Sequence, residues 1–264
     1  MNLIYQFWEG TLTSGNEAGV QLMKEYAERI GVEHKFELNP SWPKDARIQR
    51  KNLGRYNPHY GAFKFIFDTS FDVYDNIMFC DTDVVPVDGL IENIFDEFTG
   101  DIGICEEHMQ PELRVKYNMG GINNANDNKW LEVISRLYNH KLSRDSDNRP
   151  RVFNSGMVIY SRQARIHARK VFKDFKEYTS SMQSFGLPAF YQGDQNYLNA
   201  MLPFFEWQLM DYKWNSQIFF TPNTTGENRP ISDYRYGDKA NFVHVQLRGA
   251  DHYDIKKLRK VVND

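Results

Sequence analysis

Asn76-Ile77-Met78-Phe79-Cys80-Asp81-Thr82-Asp83-Val84-Val85-Pro86 joins a short apolar run to two carboxylates. An apolar run of this length, bounded by polar residues, predicts a strand buried on both faces, as in a mostly parallel sheet covered by helices. Asp81 and Asp83 stand two apart, and in extended backbone such residues project to the same side. Two carboxylates held that close repel each other, and a divalent cation is the usual relief. Ligands of open α/β sheets collect at the carboxyl edge of the strands, where this pair falls. Alone, an Asp-x-Asp reads more readily as an Asx turn beside a solvated acid.

The surrounding chain extends the pattern. Residues 3–8 predict a buried strand, 17–30 a helix with Val20, Met23, Tyr26, Ala27 and Ile30 on one face, and 34–38 a second strand. That opening βαβ unit favours a parallel sheet. Further helices are expected over 62–71, 90–98, 129–140, 162–180, 193–202 and 256–262, and strands over 102–105 and 152–160. Residues 39–60 read as loop or short helix, 141–150 as a connection, and 118–127 as a Gly/Asn-rich loop.

Composition narrows the function classes. The 264 residues carry 32 Lys plus Arg against 35 Asp plus Glu, a net charge of −3, which argues against a nucleic-acid binder. A chain 41% hydrophobic and 15% aromatic buries a core and excludes disorder as the main state. The N-terminus lacks a basic start and a long apolar stretch, no run approaches a membrane span, and Cys80 and Cys105 are the two cysteines. The expectation is a cytoplasmic protein with one domain over residues 1–264. Membrane contact is at most peripheral, through Lys256, Lys257, Arg259 and Lys260.

Two further segments bear on chemistry. Phe153-Asn154-Ser155-Gly156 sets a small polar trio before the apolar Met157-Val158-Ile159, and Gly156 allows a ligand close to the backbone. Gly193-Asp194-Gln195-Asn196-Tyr197-Leu198-Asn199 places an acid and an amide at a helix start. Taken singly, Asp194 reads as a helix N-terminal residue and Asn154 as a strand-end turn.

In order and spacing these segments, with Phe242-Val243-His244, resemble the GT-A nucleotide-sugar glycosyltransferases over roughly residues 62–244, most closely family 8, which includes glycogenin and bacterial galactosyltransferases. The Tyr5-Gln6-Phe7-Trp8 opening is also similar to the Och1-type mannosyltransferases. The resemblance implies a metal-dependent hexosyltransferase using a nucleotide-sugar donor, UDP-linked, and a carbohydrate or other hydroxyl acceptor. It implies Asp81, Asp83 and His244 as ligands of Mn²⁺, with Mg²⁺ the alternative; a set that mixes carboxylates with an imidazole suits manganese better. The implied donor contacts are Tyr5 or Trp8 on the nucleobase, Lys64 and Thr82, and Asn154, Ser155 and Gly156 around the sugar. Asp194 and Gln195 fall beside the anomeric carbon as the catalytic candidates.

Family 8 chains usually carry a phenylalanine directly after the histidine, a glycine three residues after it and a phosphate-binding lysine six after it, where this chain has Val245, Leu247 and Ala250. Arg248 is the substitute, since a guanidinium grips two phosphate oxygens. Both families named retain anomeric configuration. Three rival classes share parts of the pattern. Haloacid-dehalogenase-like phosphatases also end an apolar strand in Asp-x-Asp, but near the N-terminus and with a later acidic pair not evident here. A sugar-1-phosphate nucleotidyltransferase needs a Gly-rich N-terminal loop, which is lacking. A non-catalytic carbohydrate-binding protein has no reason to keep Asp81, Asp83 and Asp194 together.

Overall fold

The computed structural model describes residues 1–41, 58–107, 121–146, 148, 150–220, 230–233, 240–246 and 251–264. Strand β1 (Asn2–Trp8) runs parallel to β2 (Glu33–Leu38) on one side and to β3 (Asn76–Cys80) on the other. Beyond β3 lie β6 (Phe153–Ser161), antiparallel to its neighbours, then β5 (Ile102–Glu106) and β7 (Trp207–Leu209), giving the order β2-β1-β3-β6-β5-β7. Because β6 is reversed, its N-terminal Phe153–Gly156 segment shares one sheet edge with the C-terminal ends of β1, β3 and β5. A second sheet has the order β4-β10-β8-β9, with β4 (Val84–Pro86), β8 (Ser216–Phe220), β9 (Pro230–Asp233) and β10 (Phe242–Gln246). The chain steps from the first sheet to the second within Asp81–Asp83. The result is the expected α/β class, with a mixed, mostly parallel central sheet flanked by helices.

Helix α1 (Ser14–Arg29) is capped by Thr13, whose hydroxyl accepts from the Asn16 amide, and it ends before Gly31 at φ +68°. Its Leu22 and Ala18 pack with Val85, Val243 and Val245 and with Leu258 and Val262 of the C-terminal helix Ile255–Asn263. Arg259 of that helix is ion-paired to Glu25 and Asp88, so one of the four basic residues expected to face outward is held by neighbouring carboxylates. On the other side the aromatic residues pack on one another: Tyr60, Phe63, Phe175 and Tyr197 meet with ring centroids 4.5–6.1 Å apart.

Four expectations need correction. Residues 62–71 are not one helix. A 3₁₀ segment (Pro58–Phe63), a single turn α2 (Lys64–Phe67) and a second 3₁₀ segment (Thr69–Val73) replace it, because the Asp68 carboxylate caps Ser70 and restarts the chain. Residues 90–98 hold only a 3₁₀ turn (Ile94–Glu97), capped by Asn93. The helix expected over 129–140 starts earlier, as α3 (Asn124–Tyr138), because Asn123 caps Asn126, and Asn139 at φ +56° ends it. The long helix over 162–180 divides into α4 (Arg162–Val171) and α5 (Phe175–Ser184), since Asp174 accepts from the amides of Lys176 and Glu177. That break lets Phe172 and Phe175 both bury against Tyr197.

Candidate active site

The turn after β3 is built by backbone. The Asp81 amide donates to the Gly156 carbonyl at 2.8 Å, Val84 donates to the Asp81 carbonyl, and Val245 of β10 donates to the Asp83 carbonyl at 2.9 Å. Gln6 of β1, fully buried, donates to the Asp81 carbonyl at 3.1 Å and meets His34 through its other end. From behind, α1 presses so closely that a Cβ on Gly19 would sit 2.0 Å from the Thr82 carbonyl oxygen, so only glycine fits there.

Asp81, Asp83 and His244 converge at this turn, each offering a ligand atom within 4.8 Å of the others. His244 Nε2 lies 3.3 Å from Asp83 Oδ1, while Nδ1 faces the Asn215 side-chain oxygen at 3.0 Å. Burial, reinforced by the Asp83 charge, pushes the Asp81 carboxyl up to about 8 despite the opposing pull of His244. Burial alone would lower the His244 imidazole, but the charge of Asp83 and its hydrogen bond outweigh that and raise it. A cation among these groups relieves the repulsion between the two carboxylates and the burial of their charge, and takes the place of the proton that His244 otherwise attracts. Space for one exists where Gly156 lacks a side chain: a Cβ there would stand 2.4 Å from His244 Cε1 and 2.9 Å from Asp81 Oδ2. Oxygen donors with one imidazole form a set suited to Mn²⁺, so the residues fit the expected ion.

A cleft of about 220 Å³ opens beside the turn, lined by Phe7, Trp8, Asn16, Asp81, Asp83 and Asp251 among others. Trp8 is half-buried on its wall, with its indole N–H given to the Thr11 carbonyl. On another side, Ser155 Oγ donates to Asp194 Oδ2 at 3.0 Å, and Asp194 opens α6 (Asp194–Met201), where the helix dipole favours a negative charge. Gln195 Nε2 donates to Glu107 at 3.0 Å, and Asn154 Nδ2 donates to the other oxygen of Glu107 at 3.2 Å. The structure thus gathers Asp81, Asp83, His244, Asn154, Ser155, Gly156, Asp194 and Gln195 at one sheet edge.

Other expected contacts are engaged within the fold. Tyr5 is fully buried, packed edge-on against Phe65 and Phe71, with its hydroxyl donating to Glu37, so it has no ring face for a base. Lys64 is also buried, 2.7 Å from Glu37 and 3.7 Å from Asp68, and its charge is answered inside the fold. Burial alone would raise the Glu37 carboxyl, and hydrogen bonds from Lys64, Lys35 and Tyr5 hold it below its ordinary range instead. Thr82 borders the cleft, but its hydroxyl donates to Asn16 at 2.6 Å. Arg248 lies outside the described residues. Of the 118–127 stretch expected as a loop, 118–120 also lie outside them, and Asn124–Asp127 is helical.

Four site residues have no place in the sequence motifs: Glu107, Asn215, Asn16 and Asp251. Glu107 carries a signal, since Cys105-Glu106-Glu107 repeats the pattern of an apolar strand ending in two acids. Gln217, aligned with His244 in the β8–β10 register and fully buried, has neither amide atom hydrogen-bonded among the described residues.

No protein-family model matches the sequence, and no curated protein does. Among solved structures, the apo form of the bifunctional glycosyltransferase WbbM aligns over 98% of this chain at 12% identity with a TM-score of 0.51; the chain spans about half of WbbM, 49%. A glycosyltransferase involved in the glycosylation of the major capsid of PBCV-1 aligns over 98% of this chain and 97% of its own (11% identity, TM-score 0.47). The galactosyltransferase LgtC, in complex with donor and acceptor sugar analogues, aligns over 100% and 97% (14%, 0.45). The fold is that of the GT-A glycosyltransferases.

Proposed function

We propose that this chain is a metal-dependent glycosyltransferase, moving a hexose from a nucleoside-diphosphate sugar, UDP-linked, to a hydroxyl acceptor with retention of configuration. The observation that carries the reading is the convergence of Asp81, Asp83 and His244 beside a cleft that runs to Trp8, with Asp194 and Gln195 on another side. When bound by Asp81, Asp83 and His244, Mn²⁺ supplies positive charge against the departing diphosphate, the electrostatic contribution that tends to dominate such transfers.

The chain's own groups have separable tasks in this reading. Trp8 offers the base a ring face, and Asp251, which lines the same cleft and is held by the Asn16 amide, offers a carboxylate to the ribose. Asn154, Ser155 and Gly156 border the sugar, and Gly156 lets it approach the backbone. Asp194, held by Ser155, puts a negative charge on the side where positive charge develops at the anomeric carbon. Gln195 is turned toward Glu107 and Asn154 and positions rather than attacks. Arg248 keeps its assignment to the phosphates. One domain and a cytoplasmic setting belong to the same proposal; no helix among the described residues is long and apolar enough to cross a membrane.

Calorimetric titration of UDP with and without Mn²⁺, on the wild type and on Asp83→Ala, tests the reading. Manganese-dependent binding that disappears in the variant is expected. Absence of UDP and GDP binding with Mn²⁺ present would overturn it in favour of a phosphatase or a binding protein.

A further inference from the structure

We propose that Asn215 is a positioning residue that makes Nε2 of His244 the metal-ligating atom, and that its own orientation is dictated from Gly156 and Glu107 through Asn154. The proposal rests on the metal reading of the site.

It starts from atoms that have no choice of role. The backbone N–H of Gly156 only donates, so the Asn154 atom 2.9 Å away is the oxygen. The other end of Asn154, 3.2 Å from a Glu107 carboxylate oxygen, is then the NH₂ group, as an acceptor-only carboxylate requires. With the Asn154 oxygen fixed, the Asn215 atom 2.9 Å from it must donate and is the NH₂ group. That leaves the Asn215 oxygen facing His244 Nδ1 at 3.0 Å. An amide oxygen only accepts, so Nδ1 carries a proton. A neutral imidazole has one N–H; Nε2 also faces an acceptor, the Asp83 carboxylate, but at the longer distance of 3.3 Å, so the shorter Asn215 contact holds the proton on Nδ1 and leaves the Nε2 lone pair for a metal. Gln246 Nε2 lies 3.5 Å from Nδ1, at the limit of a hydrogen bond, and the shorter contact sets the tautomer.

The chain of amides is shut away from water. Asn215 is fully buried, and Asn154, Glu107 and His244 are 3–5% exposed. Turning any one amide over would set donor against donor or acceptor against acceptor with no solvent to repair the mismatch. Glu107 also receives Gln195, so one carboxylate orients amides that serve the metal ligand and the sugar side together.

The test uses the whole chain, wild type, Asn215→Leu and Asn215→Asp, with two readouts. Nitrogen-15 chemical shifts of His244 in metal-free protein, followed to alkaline pH until the ring is seen to be neutral, report which nitrogen holds the proton. Titration with Mn²⁺ alone reports affinity. The expected result is an Nδ1–H ring in the wild type, a shift toward Nε2–H with about 10–100-fold weaker Mn²⁺ binding in Asn215→Leu, and Nδ1–H restored in Asn215→Asp, which keeps an acceptor. An Nε2–H ring in the wild type, or unchanged shifts and affinity in Asn215→Leu, would overturn the proposal. Should Asn215→Leu not fold, the wild-type shifts and Asn215→Asp still decide it. Absence of Mn²⁺ binding by the wild type would count against the metal reading, and the metal-free shifts would judge the amide chain separately.

Discussion

Replacing Asp81 by an asparagine should stabilise the metal-free protein while abolishing its response to metal. In the unfolded chain this carboxyl ionises near its ordinary 3.8, whereas in the folded protein it holds its proton until about pH 8. Between those values the unfolded state has released a proton that the folded state keeps, so folded stability falls as pH rises through the window and levels off above it. At ~1.36 kcal/mol per pH unit the ceiling is roughly 5–6 kcal/mol. Asp81 borders an open cleft, however, and solvent screening there reduces the cost to about 1–3 kcal/mol. A side-chain amide in its place cannot ionise, so the Asp81→Asn variant escapes the penalty. For a chain of this size, roughly 2–4 °C per kcal/mol gives a Tm about 4–8 °C above wild type at pH 8, for ~2 kcal/mol, and near equality at pH 4. Scanning calorimetry in chelator at both pH values measures this. Repeating the scan with Mn²⁺ at 100 times its Kd should raise only the wild type, by about 2.7 kcal/mol. A variant no more stable than wild type at pH 8 without metal would refute the claim that Asp81 is strained by its surroundings.

Further outcomes follow from the same geometry. Gly156→Ala places a methyl 2.4 Å from His244 Cε1, and should weaken Mn²⁺ binding at least ~10-fold at a stability cost of about 1–3 kcal/mol; paramagnetic resonance of free Mn²⁺ checks it, and wild-type affinity would remove the crowding account. Mn²⁺ affinity should drop as pH falls below about 8, by up to ~10-fold per pH unit, because a proton on Asp81 competes with the ion. Proton uptake or release measured in buffers of different ionisation enthalpy tests this, and a flat profile from pH 6 to 8 would contradict it. Asp194→Asn should cut turnover of a UDP-sugar by ~100-fold or more with little change in donor affinity; equal rates would take Asp194 out of the chemistry.

The parts of this protein that are legible from sequence are those with local causes. The apolar run ahead of Asp81 and the helix face through Met23 and Tyr26 each carry their own signal, and both elements form within a few residues of their expected bounds. Period-two alternation does not say which strand residue meets solvent, and so Tyr5, three residues before Trp8, reads as a ligand contact although it packs against Phe65 and Phe71. Lys64 misleads for a similar reason, as its partner Glu37 belongs to a strand distant in sequence. Asn215 gives no signal at all. It sits in a four-residue 3₁₀ turn (Tyr212–Asn215), and what defines it, the Asn154 and His244 side chains, arrives from distant segments. The breaks at Asp68 and Asp174 come from capping carboxylates inside otherwise acceptable helical patterns, where propensity is a weak guide.

The crossing between the two sheets at Asp81–Asp83 has a mechanical consequence. Two of the three ligands hang from the edge of the large sheet, and the third, His244, belongs to the small one, whose strands come mostly from the C-terminal part of the chain. An ion gripped by all three is a clasp between two layers as well as a chemical reagent. Loading it would tie the C-terminal strands to the body of the protein, so that binding an ion also stiffens the wall of the cleft beside it.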